Sequence, residues 1–157
     1  MMLPMSQDLP VHREGPPGAF MSSKRGYKPD HSYWAYLLYT IKESKNDGLW
    51  LEFGVAGGNS AKFILHHMPT KQKLYGFDSF EGLPEEWDRG ATCRLAPAGE
   101  FSRSGKVPWW SPQESRFVPV VGWFEDSLPK FLEENKGKCS FVHIDSDLYS
   151  SAYCVLN

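Results

Sequence analysis

A strand-like apolar segment that runs directly into a cluster of glycines constrains this chain more than any other feature. The sequence LWLEFGV (49–55) predicts a buried strand, and Gly54, Gly57 and Gly58 follow at its end. Beyond them, Asn59 and Ser60 are predicted to cap a helix that continues through AKFILHHM and ends before Pro69. A glycine turn between a strand and a helix is where open α/β sheets bind ligands.

The rest of the chain repeats this alternation of strands and helices. Alternating elements imply parallel strands joined by right-handed crossovers, hence an α/β fold with an open, mainly parallel sheet. Four strands are few for such a sheet, so we expect it to be incomplete at the C-terminus. Further predicted elements are helices at 32–44 and 126–135, strands at 73–80, 117–124 and 139–145, a helix beginning within 148–157, an irregular proline- and glycine-rich arm at 1–26, and a long lid-like loop at 81–116.

Charge and cysteine content exclude several classes of protein. Seventeen basic and nineteen acidic residues give a net charge of −2, which does not fit a dedicated nucleic-acid binder. No apolar run approaches the roughly 18 residues of a membrane span, and the amino end lacks a signal-peptide core. Cys93, Cys139 and Cys154 form no CxxC pair. We therefore expect reduced thiols in a cytoplasmic protein.

The residues around the glycine turn allow two kinds of ligand. A dinucleotide fingerprint would require G-x-G-x-x-G/A spacing, but counted from Gly54 its second position is Ala56 and its third is Asn59, and neither is glycine. Glu52, Gly54 and Gly58 instead satisfy an acidic-x-Gly-x-x-x-Gly spacing. A carboxylate there suits a cationic nucleoside such as S-adenosylmethionine. Asp78, at the end of the second predicted strand, is placed to accept hydrogen bonds from ribose hydroxyls.

An adenine ring would need an aromatic or apolar surface beside this turn. Trp123 and Phe124 lie at the end of the third predicted strand and could stack on the base. Packing in the core is the alternative for both rings.

A pair of aspartates follows the fourth predicted strand. Asp145 and Asp147 would enter the same crevice, and hard oxygen ligands at this spacing suit Mg²⁺ or another divalent ion. The alternative is that Asp147 caps the next helix. His143, on the strand itself, is interpreted as structural.

Four motifs together carry a family resemblance: LEFGVAGGNSAKFI, YGFDSFEGLPEEW, VVGWFEDSLP and VHIDSDLYSSA. In this order they resemble the macrocin O-methyltransferase family of class I S-adenosylmethionine-dependent methyltransferases, from about Tyr33 to Asn157. The resemblance implies a Rossmann-like sheet of order 3-2-1-4 and further strands with a second acidic pair beyond Asn157. It implies that Asp145 binds Mg²⁺ and that Asp147 is the catalytic base. The cofactor-binding residues are then Glu52, Gly54, Val55, Gly58, Ser60, Asp78, Ser79, Trp123, Phe124 and Asp145.

These observations favour methyl transfer to a hydroxyl of a small-molecule acceptor, either a sugar or another natural product. Loop 81–116 would close over the acceptor, with Trp87, Trp109 and Trp110 either contacting it or packing within the loop. Two alternatives remain, a truncated non-catalytic fragment that binds S-adenosylmethionine and an NAD-dependent oxidoreductase. We expect no nucleic-acid or membrane partner and leave a homo-oligomer open.

Overall fold

A computed structural model describes residues 31–90 and 95–157 of the chain. The predicted arm at 1–26 and Cys93 lie outside the described residues. Among the described residues, no helix combines the length and apolar character needed to cross a bilayer. The elements are α1 His31–Glu43, β1 Leu49–Phe53, α2 Asn59–His67, β2 Leu74–Asp78, a 3₁₀ turn Ser111–Gln113, β3 Phe117–Val121, α3 Phe124–Glu134, β4 Cys139–Ile144 and α4 Tyr149–Leu156.

The predicted α/β fold is confirmed. The four strands form one parallel sheet in the order β3-β2-β1-β4. All four strands therefore have their carboxyl ends at the same edge of the sheet, where the connecting turns meet.

Two predicted strands are shorter than expected because glycines end them. Gly54 has φ +91°, so β1 stops at Phe53, and Gly122 has φ +141°, so β3 stops at Val121. Most side chains avoid these backbone conformations. Phe124 is predicted at the end of the third strand, but in the structure it is the first residue of α3.

The predicted cap of α2 by Asn59 and Ser60 is wrong. Gly58 occupies the N-cap position in a left-handed conformation, with φ +78°, and no side chain caps the helix. Because the chain enters the helix through this glycine, Asn59 and Ser60 are already helical residues.

Apolar side chains cover both faces of the sheet. On one face, Trp50 stacks on Phe141 at 4.9 Å between ring centroids and packs with apolar residues of α1 and α2. On the other face, Phe53 stacks on Phe77 at 4.5 Å, in a cluster that includes Phe131 of α3. The helices thus form two layers on the sheet and leave its carboxyl edge open to the turns.

The described parts of the long loop after β2 are folded and pack against the rest of the protein. Trp87 and Ala96 exchange two backbone hydrogen bonds of 2.8 and 3.1 Å, which makes a short antiparallel bridge. Trp87 also packs with Leu83, Ala96 and Leu148, so this part of the loop rests on the segment between β4 and α4. Whether the loop closes over an acceptor stays a prediction.

Candidate functional site

A cavity of about 310 Å³ lies at the carboxyl edge of the sheet. Its walls come from the glycine turn after β1, the segments after β2 and β4, and the start of α3. The structure brings together here, as lining residues, all the predicted site residues except Glu52: Gly54, Val55, Gly58, Ser60, Asp78, Ser79, Trp123, Phe124, Asp145 and Asp147.

Asp78 connects the end of β2 to the glycine turn. Its Oδ2 accepts hydrogen bonds from the backbone N–H groups of Val55 and Ala56, at 2.8 and 2.7 Å. Its Oδ1 accepts one from Phe80 N at 2.7 Å. A carboxylate oxygen has two lone pairs, so Oδ1 retains one acceptor position after this bond. Asp78 therefore shapes the turn and can still accept a hydroxyl donor.

The backbone of Gly54 lies in close contact with the segment after β4 that carries Asp145. A Cβ atom built on Gly54 would lie 2.2 Å from the carbonyl oxygen of Asp145, and its φ is +91°. Asp145 N also donates to Phe53 O at 2.8 Å. This close approach of two backbones fixes Asp145 beside the glycine turn and requires glycine at position 54.

Gly58 is in contact with a tryptophan of the long loop. A Cβ on Gly58 would lie 2.2 Å from Cζ2 of Trp110, whose indole N–H donates to Gly57 O at 3.3 Å. Trp110 is 7% exposed, whereas its neighbour Trp109 is 78% exposed. Of the two roles predicted for Trp110, contact with the acceptor or packing, the structure therefore shows packing, because the buried ring lies against the glycine turn.

The two adjacent tryptophans provide a matched pair of variants. We expect Trp110→Phe to lower the free energy of unfolding by about 1–2 kcal/mol, because it removes buried volume and the hydrogen bond to Gly57. Trp109→Phe should change it by less than about 0.5 kcal/mol, since that ring is exposed. Urea unfolding followed by circular dichroism measures both changes. Equal losses in the two variants would contradict the described packing of the loop.

Asp145 and Asp147, the two aspartates that follow β4, both line the cavity. Partial burial and the neighbouring charge of Asp145 raise the pKa of Asp147, while Arg89 offsets part of that rise. The α4 N-cap position belongs to Leu148, with no side-chain cap, so the helix-capping alternative for Asp147 is not observed. A carboxylate of raised pKa at a cavity wall is suited to accept a proton near neutral pH.

Glu52 lies behind the cavity and does not line it. It is 0% exposed, and its Oε1 is 3.3 Å from Nδ1 of His143 on the adjacent strand. The His143 Nε2 atom is in turn 3.1 Å from the hydroxyl of Tyr33 in α1. The structural interpretation of His143 agrees with this position. The argument that the Glu52 carboxylate attracts a cationic ligand has no support from this arrangement.

The buried Glu52 carboxyl leads to a pH-dependent prediction. Burial raises the pKa of Glu52 above its ordinary value of 4.5, and His143 and Ser60 offset part of this effect. The folded protein therefore keeps this proton at pH values where the unfolded chain has lost it, so this group lowers stability as pH rises above about 4.5. Glu52→Gln, which keeps an acceptor for His143, should gain stability relative to wild type as pH rises from about 5 to 8.

Denaturant unfolding across this pH range measures the difference between the two proteins. Glu133→Gln, which changes an exposed carboxyl on α3, is the matched control and should follow the wild-type curve. A constant difference between Glu52→Gln and wild type at all pH values would show that Glu52 ionises normally in the folded protein.

Sequence reasoning missed part of the cavity wall. Phe80, Leu83, Pro84 and Phe101 of the long loop line the cavity, as does Ser151 of α4. The run FEGLP directly after β2 was the available signal, because a loop that leaves the carboxyl end of a strand must pass beside the ligand site.

Strained backbone is concentrated at this cavity. Four lining residues other than glycine have positive φ angles: Ala56 at +46°, Phe80 at +57°, Phe101 at +67° and Asp147 at +63°. Such conformations cost free energy and are typical of functional sites, where the surrounding structure holds them in place.

The fold and cavity define a Rossmann-like α/β protein with acidic residues beside its glycine turn. Comparison with known families identifies the class: residues 51–156 match the family described as methyltransferase domain. This match covers more than half of the chain, and the chain belongs to that family. The finer resemblance to macrocin O-methyltransferases stays a prediction.

A characterised relative is similar over most of the chain. It is the 8-demethyl-8-(2,3-dimethoxy-alpha-L-rhamnosyl)-tetracenomycin-C 4'-O-methyltransferase of Streptomyces olivaceus, which is 30% identical over 132 residues. The alignment covers 74% of this chain and 49% of the relative. The chain thus spans about half the length of this relative.

Proposed function

We propose that this protein transfers a methyl group from S-adenosylmethionine to a hydroxyl group of a small-molecule acceptor, a sugar or a related natural product. The observation that carries the proposal is the meeting of the glycine turn, Asp78, Asp145 and Asp147 around one cavity in a methyltransferase domain. The relative from Streptomyces olivaceus, by its name, methylates a hydroxyl oxygen on a substrate that bears a rhamnosyl group.

The cavity offers a complementary group for each part of the cofactor. The open acceptor position on Asp78 Oδ1 suits a ribose hydroxyl. Trp123 and Phe124, on the wall at the start of α3, suit the faces of adenine. Asp145 lines the cavity and its backbone lies against Gly54, so the sulfonium charge of a cofactor bound along the glycine turn would be near a carboxylate.

Asp147 is the proposed general base. An acceptor oxygen attacks the methyl carbon in line with the carbon–sulfur bond, and the electrons of that bond remain on sulfur. Asp147 takes the hydroxyl proton, so the products are a methyl ether and S-adenosylhomocysteine. A raised pKa makes this carboxylate a stronger base than an ordinary aspartate. Alignment of the two substrates in the cavity supplies the rest of the acceleration.

The expected Mg²⁺ has only part of a binding site in the described residues. Asp145 and Asp147 are two carboxylates at the cavity, and no group of three or more potential ligands occurs within residues 31–90 and 95–157. Mg²⁺ usually keeps several waters and binds through one or two carboxylates together with substrate oxygens, so the two aspartates could supply only the protein part of its ligand shell. Mg²⁺ dependence therefore stays a prediction.

An NAD-dependent oxidoreductase is the less favoured alternative. Because Glu52 does not line the cavity, its carboxylate does not distinguish a cationic cofactor from one that carries a pyrophosphate. The arguments that remain are the unsuitable positions of Ala56 and Asn59 and the membership in a methyltransferase family.

Calorimetry and a transfer assay together test the proposal. We expect S-adenosylmethionine to bind and NAD⁺ not to bind, and we expect labelled methyl groups to pass to at least one member of a panel of glycosides and phenolic natural products. Binding of NAD⁺ in place of S-adenosylmethionine would favour the oxidoreductase. Binding without transfer to any acceptor would favour a non-catalytic module.

A further inference from the structure

An arginine of the long loop lies between two aromatic rings at the rim of the cavity. The guanidinium carbon of Arg89 is 4.2 Å from the ring centroid of Trp87 and 5.6 Å from that of Phe101. Phe101 lines the cavity, as does Asp147. Arg89 lowers the pKa of Asp147, so its charge acts within the cavity.

The ring on which this guanidinium stacks is held in place by the surrounding structure. Trp87 is bound by both backbone hydrogen bonds to Ala96 and packs against Leu148. A guanidinium stacked on a ring loses little freedom when its edge forms hydrogen bonds. Arg89 thus stacks on a ring that is already held in place before any ligand arrives.

The N–H donors of Arg89 are available to a ligand. In the part of the chain that the structure describes, no ion pair includes Arg89. An arginine edge forms paired hydrogen bonds with a carboxylate or a phosphate, and this geometry distinguishes such groups from neutral ones. The preferred ligand for this position is therefore an oxyanion.

The charged groups at the cavity predict how an acceptor with an anionic group would be oriented in it. Asp145 and Asp147 make part of the cavity wall negative, and Arg89, next to the lining residue Phe101, is positive. An acceptor whose hydroxyl points to Asp147 and whose anionic group points to Arg89 matches both ends. We propose that Arg89 is a specificity residue that binds a carboxylate or phosphate group on the acceptor. This inference rests on the proposed function, which defines the acceptor.

The test compares anionic and neutral sugars bound to the protein saturated with S-adenosylhomocysteine. The probes are methyl β-D-glucuronide for a carboxylate, glucose 6-phosphate for a phosphate, and methyl β-D-glucoside as the neutral analogue. We expect at least one anionic probe to bind wild type about tenfold more tightly than the glucoside. The tighter anionic probe identifies the oxyanion. Arg89→Gln should abolish the preference, and Arg89→Lys should retain part of it.

Lys106→Gln removes the same charge from another exposed position of the loop and should keep the preference. Binding of S-adenosylhomocysteine to each variant shows that the cofactor-binding part of the cavity is intact. Equal affinity of wild type for charged and neutral probes, no binding of either anionic probe, or a preference that survives in Arg89→Gln would overturn the assignment. Failure of S-adenosylhomocysteine to bind wild type would instead overturn the proposed function and, with it, this inference.

Discussion

Replacing Gly54 by alanine is expected to destabilise the protein and to abolish cofactor binding together. The new Cβ would lie 2.2 Å from the Asp145 carbonyl oxygen, which is backbone and cannot turn aside as a side chain would. Strain at positive φ and overpacking together cost about 2–5 kcal/mol. Relief requires β1 and β4 to separate at their carboxyl ends, and this movement displaces Asp145 from the glycine turn.

Gly57→Ala in the same turn is the matched control. Gly57 does not have a positive φ, and a Cβ there would meet only Arg103 Nη1 at an ordinary 3.7 Å. We expect this variant to unfold within about 0.5 kcal/mol of wild type and to keep its affinity for S-adenosylhomocysteine. Denaturant unfolding and calorimetry measure both variants. Similar behaviour of the two would show that the close approach at Gly54 does not organise the site.

Asp147→Asn is expected to lower kcat for methyl transfer roughly 100- to 10,000-fold, because asparagine cannot accept the hydroxyl proton. The affinity for S-adenosylmethionine should change little, since the change acts on the proton-transfer step. The assay uses the acceptor that the labelled panel identifies. Asp126→Asn, which alters an exposed acid in the first turn of α3 outside the cavity, should retain wild-type activity.

The pH dependence of this rate provides a second readout. Burial and Asp145 raise the pKa of Asp147 above 3.8, and only the ionised form accepts a proton. The wild-type rate should therefore fall as pH decreases through that raised pKa, whereas the residual rate of Asp147→Asn should lack this acid limb. Full activity of Asp147→Asn at neutral pH would remove Asp147 as the base.

The sequence predicted the sheet and most of the cavity because local patterns determine them. The apolar run of β1 ends at Gly54, Asp78 is the last residue of β2, and Asp145 directly follows β4. In a parallel sheet these positions must meet at one edge, whatever the details of packing.

The roles of Glu52 and Trp110 could not be predicted in this way. Glu52 is one residue from the end of β1, and alternation along the strand directs it toward α1 and His143 instead of the cavity. Trp110 is far from the glycine turn in sequence, and only the folded path of the loop brings its ring against Gly58. Both depend on long-range contacts that no local pattern records.

A crystal structure of the protein grown with S-adenosylhomocysteine tests the central claim most directly. We predict the ligand in the cavity between Asp78 and Asp145, with its adenine beside Trp123 and Phe124 and its sulfur toward Asp147. Density for the ligand at any other surface, with this cavity vacant, would contradict the account.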